Sequence, residues 1–501
     1  MTPERVVIVG NGMAGHRVAE ETHRRDPGLR ITVVGGEPRH AYNRVLLTNL
    51  LAGRATEETI GLPALPTDVR VLTGRTALAL DTVRRTVALD GGDVLPYDRL
   101  VLATGSTPFV PPLKRIVRDD GGLVPGVVPF RTLDDCRHIL RLAGPGARAL
   151  VLGGGLLGVE AARGLAQRGL DVHVLHAASH LMERQLDAPA GRMLAESLGG
   201  LGIRVLTGID VVGGRRGDGD TFTGVELADG RSVPGDLLVV ACGTRPDLAL
   251  AQSAGLATGR GVLVDEWMRT GDPRVYAVGD CAEFAGTVSG LVASAWEQAR
   301  TAAAALTGAA DGRPYRPSPP VARLKAAGID LAALGDPDAG DGPGCEVVTY
   351  ADSRRAVYQR IVLRDDRVSG AVLLGDTSTA GIVTRLFDRQ ETAPRDRRLL
   401  LFPELADAAA GGGSGSGPAA LPDDAVLCQC NGVTKGALLR CRAEGARDLA
   451  AVARRTRATT GCGGCSPAVE ELLRSAPDPA RPRPPTEETA PQTATERQDR
   501  A

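Results

Sequence analysis

The chain has 501 residues, 43% of them hydrophobic and 24% charged, and a formal net charge of −1 with arginine far outnumbering lysine. That length exceeds what one hydrophobic core supports and implies two to four domains. The balanced charge gives no footing for nucleic acid or an anionic membrane, and no apolar run approaches the roughly 20 residues that span a bilayer.

The start, MTPERVVIVGNG, enters a strand at once, with no basic region, apolar stretch or small-residue cleavage site, so a cytoplasmic protein is expected. In RVVIVGNGMAG, residues 5–15, a buried-strand run leads into Gly10-x-Gly12-x-x-Gly15 and then a helical stretch. The first glycine makes a tight turn, the second lets a pyrophosphate approach the backbone, and the third lets helix and strand pack closely. The helix N-terminus offers unsatisfied N–H groups to the phosphates. A second strand, RITVVGGE, ends at Glu37, 22 residues after Gly15, where a carboxylate accepts hydrogen bonds from ribose hydroxyls.

Two further signals stand at strand ends: Thr104-Gly105 in LVLATGSTP and Gly279-Asp280 in TGDPRVYAVGDCAE. The second suits an aspartate held against a flavin ribityl or pyrophosphate, and equally a plain Gly-Asp turn. Between them the glycine pattern recurs as Gly153-x-Gly155-x-x-Gly158, after the strand Ala149–Leu152 and before a helix and a strand ending at His176. Two such units imply two dinucleotides. An acid at the end of the second strand would favour NAD. His176 stands there instead, with no acid beside it and no obvious arginine for a 2′-phosphate, so NADH and NADPH both remain open. Gly243 is a further cofactor-contact candidate in this unit.

These signals, in this order, resemble the pyridine-nucleotide disulfide reductases and their relatives over about residues 5–310. That resemblance implies an α/β, two-dinucleotide-binding flavoprotein fold with two Rossmann-like domains, FAD on the first fingerprint with Glu37 and Asp280, and NAD(P)H on the second. The family's redox pair, two thiols four residues apart, is missing, so disulfide reduction is not expected. Cys136, Cys242, Cys281 and Cys345 are isolated and read as small core residues. The segments YNRVLLTNLLAG, LMERQLD, LVASAWEQAR and LKAAGIDL are more closely similar to the N-terminal half of NAD(P)H-dependent assimilatory nitrite reductase large subunits. They are equally similar to the electron-transfer subunits of assimilatory nitrate reductases. In that group Arg44 is implied to touch the flavin diphosphate, a task suited to a guanidinium fork. Asn49 stands where ferredoxin-reductase relatives carry a lysine. Glu160 is implied to lie near the nicotinamide–flavin contact, as the catalytic candidate; on its own it reads equally as a first-turn helix acid favoured by the dipole.

The expected domains are 1–118 with 247–313 for FAD, 119–246 for NAD(P)H, and 314–404 as a small α+β interface domain. The last holds an alternating hairpin, RAVYQRIVLRDDRVSGAVLLGD, and a helical run over 377–388. Residues 405–424 are Gly/Ser/Pro-rich and read as a flexible linker, spanning about 20–25 Å by random-coil scaling. The tail, 475–501, reads as disordered.

Between linker and tail, 425–474 are too few for a large core without a staple. Cys428-x-Cys430 and Cys462-x-x-Cys465 supply one; the set resembles the bacterioferritin-associated ferredoxin-like [2Fe–2S] domain, a small helical module. Two close thiolate pairs can hold two irons, and the glycines around Cys462 let N–H groups approach sulfur. A closed structural zinc site is the rival reading. Asn431 is expected to cap a helix starting near Val433, and Cys441 reads as core. No cysteine follows Cys465, so a nitrite-reducing sirohaem domain is not expected. The reading is an NAD(P)H-oxidising FAD and [2Fe–2S] electron-transfer subunit, with a molybdenum nitrate reductase catalytic subunit as the expected partner. A general NAD(P)H:ferredoxin or rubredoxin reductase, or a redox-sensing, partner-docking flavoprotein, are the alternatives.

Overall fold

A computed structural model describes residues 3–310, 312–317, 321–336, 340, 342–402, 405, 418–428, 431–461 and 463–475. The first glycine unit centres on five parallel strands in the order Val275–Ala277, Arg99–Leu102, Arg5–Val9, Arg30–Gly35 and Arg70–Thr73. Its central strands are apolar throughout because both faces are covered. Val6 and Ile8 face the helices Met13–Arg25 and Val292–Thr307. Val7 and Val9 face a small antiparallel sheet, Ala77–Asp81, Thr86–Leu89 and Val94–Pro96.

The second unit repeats the plan. Its strands run Ile203–Leu206, Asp171–Leu175, Arg148–Leu152, Leu237–Val240 and Val127–Pro129, all parallel. Ala149 and Val151 meet the helices Leu133–Leu142 and Leu156–Gln167, while Leu150 and Leu152 meet the antiparallel sheet Val211–Arg216, Phe222–Leu227 and Ser232–Pro234. A short antiparallel pair, Ser106–Pro108 with Thr244–Pro246, joins the units.

The third region is a five-stranded antiparallel sheet ordered Val321–Arg323, Leu331–Gly335, Arg367–Leu374, Val357–Arg364, Cys345–Asp352. The expected hairpin is present, turning through Asp365 and Asp366, both at positive φ (49° and 61°), as a tight two-residue connection requires. The helix here is Ala380–Arg389 rather than 377–388, because Thr377–Thr379 form the turn that starts it. One face of this sheet, through Leu331, Ala333, Tyr358 and Val372, belongs to the same apolar cluster as the second unit.

At the C-terminal end a two-stranded ladder, Val426–Cys428 with Val433–Thr434, leads into helices Lys435–Ala443, Leu449–Thr456 and Ser466–Ser475. Asn431 does not cap the first of these. Thr434 does, its hydroxyl accepting from the Ala437 N–H, because it stands immediately before the helix in extended conformation. The helix expected to start near Val433 ends before Gly445, whose φ of +101° suits glycine, and a second helix, Leu449–Thr456, is capped by Asp448. Most of the expected linker and nearly all of the tail lie outside the described residues. Residues 418–424, however, pack onto the rest of the molecule: Lys435 Nζ donates to the Ala419 and Leu421 carbonyls, and Arg389 pairs with Asp424. Cys136, Cys281 and Cys441 are buried. Cys242 and Cys345 are only half-buried, against expectation, Cys345 because its strand is the sheet edge. No helix among the described residues is long and apolar enough to cross a membrane.

Candidate functional site

At the carboxyl ends of the first sheet lies a cleft of about 320 Å³ lined by Gly10, Gly12, Glu37, Arg44, Thr104, Gly105, Gly279 and Asp280. Position explains each glycine differently. Gly10 has φ +114°, and a Cβ there would stand 2.0 Å from the Ala103 carbonyl oxygen. A Cβ on Gly15 would stand 1.9 Å from the Gly10 oxygen, so helix and strand approach more closely than any side chain permits. Gly12 is different: the nearest atom to its missing Cβ is Arg44 Nη2 at 3.8 Å. The helix Met13–Arg25 begins there without a side-chain cap, leaving its first N–H groups available to an anion.

Glu37 accepts from the Tyr42 hydroxyl (2.9 Å) and Arg44 Nη2 (3.0 Å). Burial pushes the Tyr42 phenol up to about 12, so it remains a donor, while accepting from the Leu133 N–H. Across the cleft Asp280 accepts from Ser106 Oγ (2.9 Å) and Arg131 Nη2 (2.6 Å). Its neighbour Gly279, at φ +77°, donates its N–H to Gln298 Oε1 at 2.8 Å. Thr104 donates to the Asp247 carbonyl (2.8 Å), and Gly105, at φ +76°, has open space where a Cβ would stand. A separate surface groove among Arg5, Arg30 and Arg70 lies at the opposite, amino ends of the strands, away from the glycines.

In the second unit Gly153 (φ +113°) would place a Cβ 2.5 Å from the Ala241 oxygen, and Gly158 would place one 1.9 Å from the Gly153 oxygen. Gly155 has nothing within 4 Å of its missing Cβ, and Gly243, at φ +91°, is equally open. His176 follows the strand Asp171–Leu175; its Nδ1 accepts from the Gly154 N–H (3.1 Å), and its Nε2 lies 3.1 Å from Glu183 Oε2.

Glu160 sits where the two units and the third region meet. It lies beyond the first turn of Leu156–Gln167 and is 2% exposed, so the helix-dipole reading does not account for it. One oxygen accepts from Thr48 Oγ1 of the first unit (2.8 Å). The other accepts from the backbone N–H and the Nζ of Lys325, both at 2.9 Å. Glu160 does not line the flavin-side cleft. The lysine that engages Glu160 comes from the third region, 165 residues downstream of it.

The C-terminal module is docked against the rim of the first cleft. Asn43 Nδ2 donates to the Thr460 and Gly461 carbonyls at 2.5 and 2.6 Å, gripping the turn immediately before Cys462. Met13, Val45, Val292 and Trp296 share one apolar cluster with Cys428, Val433, Leu438 and Cys465. Met13, Val45 and Val292 also line the cleft. Arg457 of the module pairs with Glu20, and burial beside Arg17 lowers its guanidinium to about 10. Beneath it His16 is held neutral, its pKa lowered to about 4 by burial and by the Arg457 charge. Cys428 and Cys465 are buried, and Asn431 Nδ2 approaches Cys428 Sγ at 3.7 Å while donating to the Arg457 carbonyl. Cys430 and Cys462 lie outside the described residues.

Residues 4–305 match the pyridine nucleotide-disulphide oxidoreductase family model. The chain belongs to that family. Residues 320–391 match the rubredoxin NAD+ reductase C-terminal domain, and 426–475 match the BFD-like [2Fe-2S] binding domain. The chain is 36% identical over 485 residues to the assimilatory nitrate reductase electron transfer subunit of Bacillus subtilis (strain 168), covering 95% of this chain and 60% of the relative. It is also 36% identical to the nitrite reductase [NAD(P)H] of the same organism, covering 95% and 58%. It therefore spans less than two thirds of either relative's length. A chain in the crystal structure of the covalent putidaredoxin reductase–putidaredoxin complex superposes with a TM-score of 0.73 at 28% identity, covering 82% of this chain and 99% of that one.

This member of the pyridine nucleotide-disulphide oxidoreductases is thus an NAD(P)H-dependent FAD oxidoreductase with a [2Fe–2S] domain, and the family and fold expected from the sequence are those found. The residues present fit the groups. Gly12 and Gly155 leave room where a pyrophosphate would lie against helix N–H groups, and buried thiols offer the soft donors that iron prefers. Sequence reasoning missed Arg131, Asn43, Glu183 and Lys325. Asn43 in YNRVLLTNLLAG, Glu183 in LMERQLD and Lys325 in LKAAGIDL all stood within segments quoted for the resemblance, which marked the segments without assigning these residues a role.

Proposed function

We propose that the chain takes electrons from NAD(P)H and delivers them singly, through its C-terminal module, to a separate oxidoreductase in the cytoplasm. The observation that carries this reading is the Asn43 grip: the turn before Cys462 is fastened to the rim of the cleft that the first glycine unit builds. Bound FAD supplies the exchange between hydride and single-electron chemistry, and a [2Fe–2S] cluster accepts one electron at a time.

The chain's own residues do the placing. Gly10, Gly12 and Gly15 shape the FAD pyrophosphate seat, with Arg44 above it, Glu37 for the ribose, and Thr104, Gly105, Gly279 and Asp280 along the opposite wall. Gly153, Gly155, Gly158, His176 and Gly243 form the NAD(P)H seat. Cys428, Cys430, Cys462 and Cys465 are the metal ligands. Glu160 is a positioning residue that fixes the second unit against the first. The domains run 1–118 with 247–313, 119–246, 314–404 and 425–474.

By likeness to the Bacillus electron transfer subunit, the acceptor is a molybdenum nitrate reductase catalytic subunit serving nitrate assimilation. The match of 320–391 to a rubredoxin reductase domain favours a second reading, a general ferredoxin or rubredoxin reductase. Native co-purification separates them: a nitrate reductase recovered with this chain supports the first, and its reproducible absence with turnover on ferredoxin supports the second. Cys462→Ser should abolish NAD(P)H-driven reduction of a protein acceptor while leaving ferricyanide reduction intact. Retention of both would overturn the single-electron exit.

A further inference from the structure

The place that reads the nicotinamide dinucleotide's ribose is filled in an unusual way. Leu152 and Leu175 are register partners, so His176 stands directly opposite Gly153, at the turn between the paired strands. A Cβ on Gly154 would lie 2.7 Å from His176 Cγ, so the imidazole packs directly against the glycine turn. Its Nδ1 is taken by the Gly154 N–H, so the ring proton resides on Nε2 and is donated to Glu183. The histidine in the acid's place therefore presents a carboxylate from seven residues further on.

The loop that carries Glu183 is itself fixed to the same turn. The N–H of Met182 donates to the Gly154 carbonyl at 3.0 Å, and Met182 holds φ +53°, a conformation that non-glycine residues adopt only when surroundings impose it. Leu186 closes the loop onto the Met182 carbonyl, and His180 Nε2 lies 3.1 Å from the Leu186 carbonyl. Strain at Met182 aims the next side chain across the strand end. The His176 side chain is 10% exposed while Glu183 is 39% exposed, so the carboxylate keeps an outward face for a ligand. Among the described residues its side-chain partner is His176, through a hydrogen bond, and no arginine or lysine pairs with it.

We propose that Glu183, oriented by His176, selects NADH over NADPH. This rests on the reading that the second glycine unit binds the nicotinamide dinucleotide. Ribose hydroxyls donate to a carboxylate, whereas a 2′-phosphate, carrying nearly two negative charges, meets a like charge there. The element that discriminates is repulsive as well as attractive.

The test uses the FAD-loaded full chain and ferricyanide, whose reduction does not require the cluster. The unmodified chain is expected to favour NADH in kcat/KM by about tenfold or more, the range a single charge contact supplies. Glu183→Gln should lower that preference by about threefold to tenfold, and Glu183→Arg should lower it further or invert it, mainly through KM for NADPH. His176→Phe, which removes the Nε2 donor, should shift the ratio in the same direction by a smaller factor. Titration with NAD+ and NADP+ should reproduce the order without turnover. Equal or better use of NADPH by the unmodified chain overturns the proposal, as does an unchanged ratio in both Glu183 variants with FAD retained. Loss of activity on both nucleotides in the unmodified, FAD-loaded chain would instead overturn the underlying assignment, and this proposal with it.

Discussion

The two glycine units share a backbone mould and differ in what surrounds it. Both hold a parallel sheet between helices and a small antiparallel sheet, and both force the first and third glycines by carbonyl oxygens that no Cβ could avoid. In the first, the strand-end acid Glu37 is already engaged by Tyr42 and Arg44, and the rim is roofed by the C-terminal module. In the second, the strand end is a histidine with an outward carboxylate, and no module covers it among the described contacts. The lesson is that steric rules fix the seat, while the polar lining decides whether its occupant stays or exchanges. A resident cofactor suits the roofed seat; a substrate nucleotide suits the open one.

The sharpest test compares glycines within the first seat. Gly10→Ala drives a methyl group into the Ala103 carbonyl and should cost about 4 kcal/mol or more, with loss of FAD. Gly12→Ala has open space and should leave thermal stability nearly intact while weakening FAD retention, read by flavin absorbance after gel filtration. If both variants unfold alike, the distinction between steric and ligand glycines fails.

Next in size is the junction that holds the open unit against the roofed one. Lys325→Ala leaves the Glu160 carboxylate buried without its cation, which should cost about 3–5 kcal/mol in denaturant unfolding. Lys325→Ala combined with Glu160→Gln should recover part of that loss. No recovery would mean that the lysine matters through packing alone.

Acid should lift the roof. His16 is buried and feels Arg457 from the module and Arg17 from its own helix, against one backbone hydrogen bond at Pro63, and its folded pKa is about 4 against 6.5 unperturbed. Undocking removes the Arg457 charge, and a freed histidine binds more protons across that window, so docking weakens as pH falls from about 6.5 to 4. Proteolysis of the module, followed between pH 7 and 4.5, should accelerate in the native chain and much less in His16→Gln. The smallest effect is at Asn43: Asn43→Ala removes two donations and should weaken docking by about 1–3 kcal/mol. Electron delivery to a protein acceptor should slow, while NAD+ binding in the open unit should not change.

The parts legible from sequence were those imposed by local backbone sterics. Gly10, Gly153 and their partners declare themselves because a turn forbids any side chain, and Glu37 because strand length fixes its distance. What was illegible acts across long separations or by substitution of role. Asn43 meets Thr460 over 417 residues, and Lys325 reaches Glu160 over 165. Glu183 could have been suspected as an acid in the loop after His176, yet only the Met182 conformation shows where it points. Asn431 was misplaced as a cap because two good capping residues, Asn431 and Thr434, share one turn, and Thr434 stands nearer the helix.

The lysine from the third sheet carries one more consequence, for protein engineering. A chimaera that grafts the nucleotide-binding front of this protein onto another back end imports an acid whose counter-charge stays behind. Exchange boundaries should therefore fall after residue 325 rather than at the expected domain edge between residues 313 and 314. Otherwise the recombinant inherits a naked anion at the hinge of its two nucleotide seats.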